Sequence, residues 1–316
     1  DDGLIGDRPN AGGAAEQITV RLALLDIDDV DDRTQRFDVD AYFELSWSDP
    51  RLAVEDVDSS VARVRTVGLD EIWDPGLTII NNRGMRFMLP QVASVTRDGS
   101  VTVRQRMSGP LAVDLKLQRF PFDTQRLSLD IVSYRYAPDQ LEFAADSELV
   151  ANPENFSAGG WRFEALDPEF SVFRLTDDGR GTSKLSFALQ AERNSGYFVL
   201  TLALPMALIL FMAWMVHWIQ PDVIPARMGM STATVFSLIA LGVSFRLTMP
   251  RIDYLTRADQ FVIYSTLLVL LSLGATVLAT RWVNAGRVQV AERITAIARW
   301  SFPAVFLLVI VATLGA

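Results

Sequence analysis

The chain has 316 residues, of which 50% are hydrophobic and 21% are charged, and its formal net charge is −9. It contains no cysteine and one histidine, which excludes a disulfide scaffold, a thiolate metal site and a cysteine nucleophile. The acidic balance argues against nucleic-acid binding, because affinity for phosphates comes from lysine and arginine.

The first half of the chain predicts β structure. Residues 1–15 are rich in glycine and aspartate and predict a flexible leader. Short runs of alternating apolar and polar residues then recur up to residue 193, and Asp98-Gly99 and Asp178-Gly179 separate two pairs of runs as hairpin turns do. We therefore expect an antiparallel β-sandwich of about eight to ten strands over 16–193.

The net charge also changes sign after residue 193, where the predicted β structure ends. Residues 1–193 carry a net charge of −13, whereas residues 194–316 carry +4. The second part is also strongly apolar, so we expect a polar domain followed by an all-α membrane domain.

Four segments of the second part are long enough to span about 30 Å of hydrocarbon. They are about 197–218, 226–248, 261–280 and 294–314. Arg281, Arg287 and Arg293 lie in the connection before the last segment, and excess arginine marks the cytoplasmic side. Four spans then place both the sandwich and the C-terminus outside the cell.

The order of these domains is accompanied by several short motifs. Phe120-Pro121-Phe122-Asp123-x-Gln125 resembles the signature loop of the pentameric ligand-gated ion channels, the Cys-loop receptor family. Val113 and Leu127 stand where animal members of that family have cysteines, as in its prokaryotic branch. Further resemblances, in chain order, are Trp73-x-Pro75, Pro205, Pro225-Ala226-Arg227, the run from Thr234 to Leu238, and Pro250.

The resemblance implies a homopentamer around a central pore in a bacterial inner membrane. An extracellular sandwich would bind a small agonist, either an amine or a carboxylate, and monovalent ions would permeate among surrounding membrane lipids. The family is not enzymatic, and the resemblance implies neither a cofactor nor a metal.

The second apolar segment is the pore candidate, because it alone combines full length with many small and hydroxyl residues. The resemblance places six residues towards the axis: Gly229, Ala233, Phe236, Ala240, Val243 and Leu247. An apolar constriction can close a pore by dewetting, so Phe236 is the predicted gate. Ser231, Thr234 and Ser237 fall beside this face, and a modest rotation would bring their hydroxyls into it.

Charge selectivity is the open point of the sequence. Pro225-Ala226-Arg227 resembles the inner mouth of anion-selective members, although arginine at this position of the family usually points away from the pore. Asp222 would form an acidic ring below Arg227, and the acidic outer domain concentrates cations. We expect cation selectivity, with anion selectivity as the alternative.

The resemblance also supplies residues for coupling between the two domains. An acidic loop, Asp31 or Asp32, would meet Asp123 of the signature loop, and Arg193 would join these carboxylates in charge-assisted hydrogen bonds. The remaining predicted coupling residues are Phe120, Pro121, Pro250 and Tyr254.

The agonist site is expected between neighbouring subunits. The resemblance gives the candidates Tyr42, Ile79, Asn81, Arg104, Tyr134, Tyr136 and Phe173. Aromatic faces suit a cationic amine, whereas Arg104 suits an anionic ligand, so both ligand classes stay open. Trp47 and Trp161 are assigned to the sandwich core.

Protons are a second possible stimulus. His217, at the inner end of the first span, is the one side chain that ordinarily titrates near neutrality. Clustered carboxylates over residues 26–32 would titrate closer to neutrality through mutual repulsion.

Two other classes of protein share some of these features. A membrane-anchored sensor would have the β domain without needing a hydroxyl-bearing span. A membrane enzyme would need acid, base or metal ligands in the membrane, yet the first three spans offer His217 and no carboxylate.

Overall fold

A computed structural model of the chain describes residues 6–54, 64–175, 179, 181–249 and 252–314. The chain divides into two compact units. The first comprises residues 1–115 and 124–192, and the second comprises residues 116–123 and 193–316. The short segment 116–123 therefore belongs to the unit that contains the apolar helices.

Thirteen strands are assigned in the described residues. They are β1 (Glu16–Asp31), β2 (Arg36–Ser48), β3 (Val64–Gly68), β4 (Leu77–Ile79), β5 (Arg86–Phe87), β6 (Val92–Thr96), β7 (Ser100–Ala112), β8 (Thr124–Ser133), β9 (Leu141–Phe143), β10 (Glu148–Ala151), β11 (Trp161–Ala165), β12 (Glu169–Phe173) and β13 (Thr182–Arg193).

The strands form two sheets, which confirms the predicted sandwich. The eight-stranded sheet has the order β10-β1-β2-β7-β6-β3, with β5 paired to β7 and β9 paired to β1. The five-stranded sheet has the order β11-β13-β8-β4, with β12 paired to β13. There are more strands than expected, because two- or three-residue strands such as β4, β5 and β9 are too short to show an alternating pattern.

Strand β2 shows how the sequence pattern builds the core. Every second side chain from Phe37 to Trp47 is buried, while the intervening ones are partly exposed. Successive side chains of a strand point to opposite faces, so this alternation fixes which face of β2 meets the core. Trp47 lies in the core as predicted, at 5% exposure, whereas Trp161 is only partly buried.

The predicted turn at Asp98-Gly99 is confirmed. It joins β6 to β7, and the Gly99 amide donates to the Thr96 carbonyl at 3.1 Å. Gly99 has a φ of +84°, and a Cβ there would lie 2.5 Å from the Asp49 carbonyl oxygen, so glycine is required. Asp178 lies outside the described residues, although β12 and β13 pair antiparallel on either side of that turn.

The second unit contains four helices long and apolar enough to cross a membrane. They are α1 (Ser195–Trp218), α2 (Ile224–Thr248), α3 (Arg257–Asn284) and α4 (Val288–Leu314). Helix α1 contains a π-helical turn at Val199–Ala203, immediately before the helical turn that includes Pro205.

Buried apolar side chains hold the helices of this unit together. The cluster includes Met206 and Leu210 of α1, Leu238 of α2, Phe261 of α3 and Phe302 of α4. All four helices therefore share one core.

Helix α3 begins before its apolar segment because it has a capping box. The Thr256 hydroxyl accepts from the Asp259 amide at 3.0 Å, and the Asp259 carboxylate accepts from the Thr256 amide at 3.1 Å. These bonds satisfy two amides that the helix itself leaves free, which hydropathy alone does not reveal.

Candidate functional site

A buried ion pair joins Asp123 to Arg193 in the second unit. Nε of Arg193 donates to Oδ1 of Asp123 at 2.8 Å, and Nη2 donates to Oδ2 at 3.2 Å. The two side chains are only 1% and 2% exposed, and the Arg193 amide also donates to the Asp123 carbonyl at 3.2 Å. The pair is therefore bidentate and desolvated, which makes it costly to break from one side.

Aromatic rings surround the Arg193 guanidinium. Its central carbon lies 4.8 Å from the centroid of the Phe120 ring and 5.5 Å from that of Phe198. Phe120 is fully buried and also packs against Phe198 and Phe245, at centroid distances of 5.0 Å and 6.3 Å. The ring faces add cation–π attraction to the ion pair.

The segment after α2 reaches the same place. The Tyr254 hydroxyl accepts from the Leu117 amide at 3.1 Å, and the Ala258 amide donates to the Phe120 carbonyl at 3.3 Å. Pro250, which the sequence also placed here, lies outside the described residues. Segment 116–123 is thus hydrogen-bonded to Arg193 at the end of β13, to the α2–α3 connection and to the start of α3.

Asp31 lies in the first unit, where its carboxylate caps the turn formed by the residues that follow it. Its carboxylate accepts from the Thr34 hydroxyl at 2.6 Å and from the Arg33 and Thr34 amides at 2.8 Å and 3.2 Å. The Thr34 hydroxyl, against partial desolvation, lowers the pKa of Asp31. This carboxylate is ionised near neutral pH, as a coupling role requires, and Asp32 beside it is partly buried.

Helix α2 has two distinct faces. All six predicted pore residues are exposed in the single subunit, and Phe236, Val243 and Leu247 reach 67%, 56% and 73%. The opposite side buries Arg227, Ser231, Thr234 and Leu238 in the subunit's own bundle. The expectation that Ser231 and Thr234 lie beside the pore face is therefore wrong, and Ser237 is the one of the three hydroxyls that is exposed.

The inner end of α2 also separates the four predicted selectivity residues. Asp222, Pro225 and Ala226 are exposed, whereas Arg227 is fully buried and donates to the Thr295 hydroxyl at 3.1 Å. The Arg227 guanidinium is thus held inside the subunit's own bundle, and its place in the selectivity region stays a prediction.

Two predicted agonist residues present accessible rings. Tyr134 is 62% exposed, and the Arg135 guanidinium lies 5.2 Å from the centroid of its ring. Phe173 is half-buried at the end of β12.

Tyr136 and Asn81 have structural contacts instead. The Tyr136 hydroxyl accepts from the Trp73 indole at 2.7 Å, and Trp73 packs in turn on Trp47. The Asn81 amide donates to the carbonyls of Ala112 and Ser128 at 3.1 Å and 2.7 Å and accepts from the Asp130 amide at 3.2 Å. Both amide hydrogens of Asn81 are thus bound to carbonyls of β7 and β8, so this side chain links the two strands and has no hydrogen left to donate to a ligand.

Two further predicted agonist residues, Tyr42 and Arg104, lie on β2 and β7 among paired charges. Arg104 donates to Glu44 at 2.8 Å, and Glu44 also lies 3.6 Å from Arg21. Tyr42 is partly exposed on β2, directly opposite Arg106 of β7. Because Glu44 already neutralises Arg104, this region is less cationic than the sequence suggested.

The sandwich also contains a cavity that the sequence did not indicate. Its volume is about 620 Å³, and Ile79 is the one predicted agonist residue in its wall. The Gln105 side chain, which also lines the cavity, binds the Leu89 backbone: it accepts from the Leu89 amide at 2.6 Å and donates to the Leu89 carbonyl at 2.9 Å. Its wall comes from residues scattered over several strands, so no local sequence pattern predicts it.

His217 is fully buried in the second unit. Its Nε2 lies 2.9 Å from the Ser272 hydroxyl, and its carbonyl accepts from the Arg299 guanidinium at 3.0 Å and 3.2 Å. A histidine at the end of α1 is thus tied to both α3 and α4.

A sandwich followed by four apolar helices, with an Asp–Arg pair beside the first helix, defines a class of ligand-gated channel. Residues 6–176 match the family model described as neurotransmitter-gated ion-channel ligand binding domain, and the chain belongs to this family. It is 29% identical over 299 residues to a proton-gated ion channel of Gloeobacter violaceus, covering 93% of this chain and 82% of that protein. It is 26% identical over 274 residues to gamma-aminobutyric acid receptor subunit beta-4 of Gallus gallus, covering 84% of this chain but only 55% of the relative.

We predict that breaking the Asp123–Arg193 pair from either side is strongly destabilising. Arg193→Gln and Asp123→Asn each remove one charge of a buried bidentate ion pair, which costs about 3–5 kcal/mol. Arg193→Lys keeps the charge but loses the bidentate fork, so its effect should be smaller. Thermal unfolding of the purified protein measures the order of these effects.

Arg162→Gln is the matched control for this series. Arg162 pairs with Glu192 at 3.2 Å, but both side chains are exposed, at 83% and 59%. The control should unfold like the wild type. Equal unfolding temperatures for Arg193→Gln and Arg162→Gln would contradict the role assigned to the buried pair.

We predict that Asn81→Ala lowers the free energy of unfolding by about 1–3 kcal/mol, because it leaves buried carbonyls and an amide without partners. The agonist concentration for half-maximal response should stay unchanged. Tyr134→Ala should raise the agonist concentration for half-maximal response and leave the free energy of unfolding unchanged, since the Tyr134 ring is exposed. A shifted agonist response in Asn81→Ala at an unchanged unfolding temperature would return Asn81 to the binding site.

Proposed function

We propose that the protein is a homopentameric, cation-selective ligand-gated ion channel of a bacterial inner membrane, with α2 lining the pore. The observation that carries this proposal is the free face of α2. The six predicted pore residues recur at i+3 and i+4 on the side of α2 that the subunit's own bundle leaves exposed, and three of them are Gly or Ala. A ring of five subunits can turn this side towards a shared axis.

Phe236 is the proposed gate. It is the bulkiest residue on the free face and is 67% exposed, so five copies would narrow the axis with apolar rings. Such a constriction excludes water without any charged group.

The proposed cation selectivity rests on what the inner mouth exposes. Pro225 and Ala226 carry no charge, Arg227 is turned into the bundle, and Asp222 is exposed just before α2. The net charge of −13 on residues 1–193 acts in the same direction. The Pro225-Ala226-Arg227 motif and an exposed Arg246 at the other end of α2 favour anion selectivity as the second candidate.

The proposed stimulus is a small amine or carboxylate at the outer domain, or a change of pH. Tyr134 and Phe173 offer rings to a cationic amine. One relative is named a proton-gated channel. This chain has two neighbouring carboxyl groups, those of Asp26 and Asp28, that can take up protons. Partial desolvation and the neighbouring Asp26 carboxyl raise the pKa of Asp28, whereas Ser157, against desolvation, lowers the pKa of Asp26. His217 remains the proposed alternative pH sensor.

Coupling is proposed to run through the Asp123–Arg193 pair. Segment 116–123 is hydrogen-bonded to Arg193 just before α1, to Tyr254 and to Ala258 of α3, so a displacement of this segment would reach the chain on both sides of it. Asp31, Asp32 and Pro250 stay predicted members of this path.

A membrane-anchored sensor without a pore is the alternative of another class. Reconstitution in a planar bilayer distinguishes the two, because only a channel gives unitary currents. Silent bilayers under every tested amine, carboxylate and pH step would favour the sensor.

We predict that Phe236→Ala raises the open probability without agonist by about tenfold, because a methyl group no longer dewets the axis. Single-channel recording measures it. Ile239→Ala is the matched control, since that side chain is 50% exposed but lies about 60° away around the same helix. Closed and open times equal to those of the wild type in Phe236→Ala would remove the gate assignment.

We predict a reversal potential near that of sodium under a NaCl gradient. Asp222→Asn should shift it towards zero, because the variant removes the exposed carboxylate at the inner mouth. Glu292→Gln is the control, since it removes an exposed carboxylate early in the outer helix α4. Reversal of the wild type near the chloride potential would establish the anion-selective candidate instead.

A further inference from the structure

Arg227 is a buried cation with an incomplete set of partners. Its side chain is fully buried, and Nη2 donates to the Thr295 hydroxyl of α4 at 3.1 Å. Nε and Nη1 have no hydrogen-bond partner among the described residues, and no ion pair joins Arg227 to a carboxylate there.

Two hydroxyls beside it are also free to donate. Ser231 lies four residues after Arg227 on the same buried face of α2, and its hydroxyl has no partner in the described part of the chain. Thr295 accepts from Arg227, but its own proton has no acceptor among the described residues. Other threonines of these helices, such as Thr266 and Thr276, donate to the carbonyl four residues earlier.

The cluster of Arg227, Ser231 and Thr295 therefore contains four donor groups without an acceptor, namely Nε and Nη1 of Arg227 and the two hydroxyls, and no carboxylate. Leaving a guanidinium desolvated and unpaired is costly. The group that would satisfy these donors is an anion with several acceptor oxygens, and the guanidinium fork matches an oxoanion.

Neighbouring charges favour an anion as well. The Arg299 guanidinium lies on the same helix as Thr295, one turn further on, and is bound to the His217 carbonyl. Arg287 and Arg293 are exposed near the start of α4. The carboxylates at this end, Asp222 and Glu292, are exposed and do not pair with Arg227.

The cluster lies close to the first residues of both helices. Arg227 is three residues after the start of α2 and Thr295 seven after the start of α4, which is about 5 Å and 10 Å along the helices. Of the four helices, α4 is the least covered, with 11% of its most apolar window buried in the subunit.

We propose that Arg227, Ser231 and Thr295 bind one phosphate group between α2 and α4, supplied either by an anionic lipid of the inner leaflet or by free phosphate. This proposal does not require channel activity, because phosphate binding is measured through the unfolding temperature and not through an ion current.

Thermal unfolding of the purified full chain tests the proposal with two probes. One is inorganic phosphate against chloride at equal ionic strength, and the other is phosphatidylglycerol against phosphatidylcholine in nanodiscs. A bound phosphate should raise the unfolding temperature by about 2–4 °C at saturation. A response to phosphatidylglycerol alone identifies a lipid headgroup, and a response to inorganic phosphate identifies a free anion.

Variants make the assignment specific. Arg227→Gln should abolish the shift, whereas Arg287→Gln, which removes an exposed arginine near the same end, should keep it. Thr295→Val and Ser231→Ala each remove one donor and should weaken the response several-fold, and they carry the test if Arg227→Gln does not fold. The proposal is overturned if neither probe stabilises the wild type, or if the donor variants respond as Arg287→Gln does.

Discussion

The second unit depends on one desolvated ion pair. Asp123 and Arg193 lie at the ends of two chain segments that are far apart in sequence, and neither charge has access to water. Each charge therefore needs the other at hydrogen-bond distance. This requirement fixes segment 116–123 against the first turn of α1, and the Phe120 ring completes the surroundings of the guanidinium. The hydrogen bonds of Tyr254 and Ala258 then follow from where that segment lies.

Much of the fold follows from patterns that act within a few residues. Alternation predicted long strands such as β2, and apolar length predicted the four helices, since both signals come from one-dimensional periodicity. The short strands β4, β5 and β9 were not predictable, because two or three residues carry no period. The early start of α3 depends on the paired caps Thr256 and Asp259, and hydropathy does not register a cap.

The candidate sites were predicted unevenly for a related reason. Motifs predicted Asp123 and Arg193, whose contact depends on residue type and position. Phe198 and Phe245 were missed, because an aromatic residue in an apolar segment looks the same whether it faces lipid or a guanidinium. Asn81 was assigned to ligand binding by resemblance, and the sequence gives no sign that both donors of its amide are bound to strand carbonyls.

The four helices are held in the bundle to different degrees. In its most apolar stretch α3 is 33% buried within the subunit, whereas the corresponding stretch of α4 is 11% buried. Of the four apolar stretches, that of α4 therefore leaves the largest share of its side chains to lipid. Helices in a bilayer gain no hydrophobic free energy by leaving lipid for protein, so this exposure carries no penalty. Adjustment of the stretch to a bilayer of different thickness costs only fractions of a kcal/mol per ångström of mismatch.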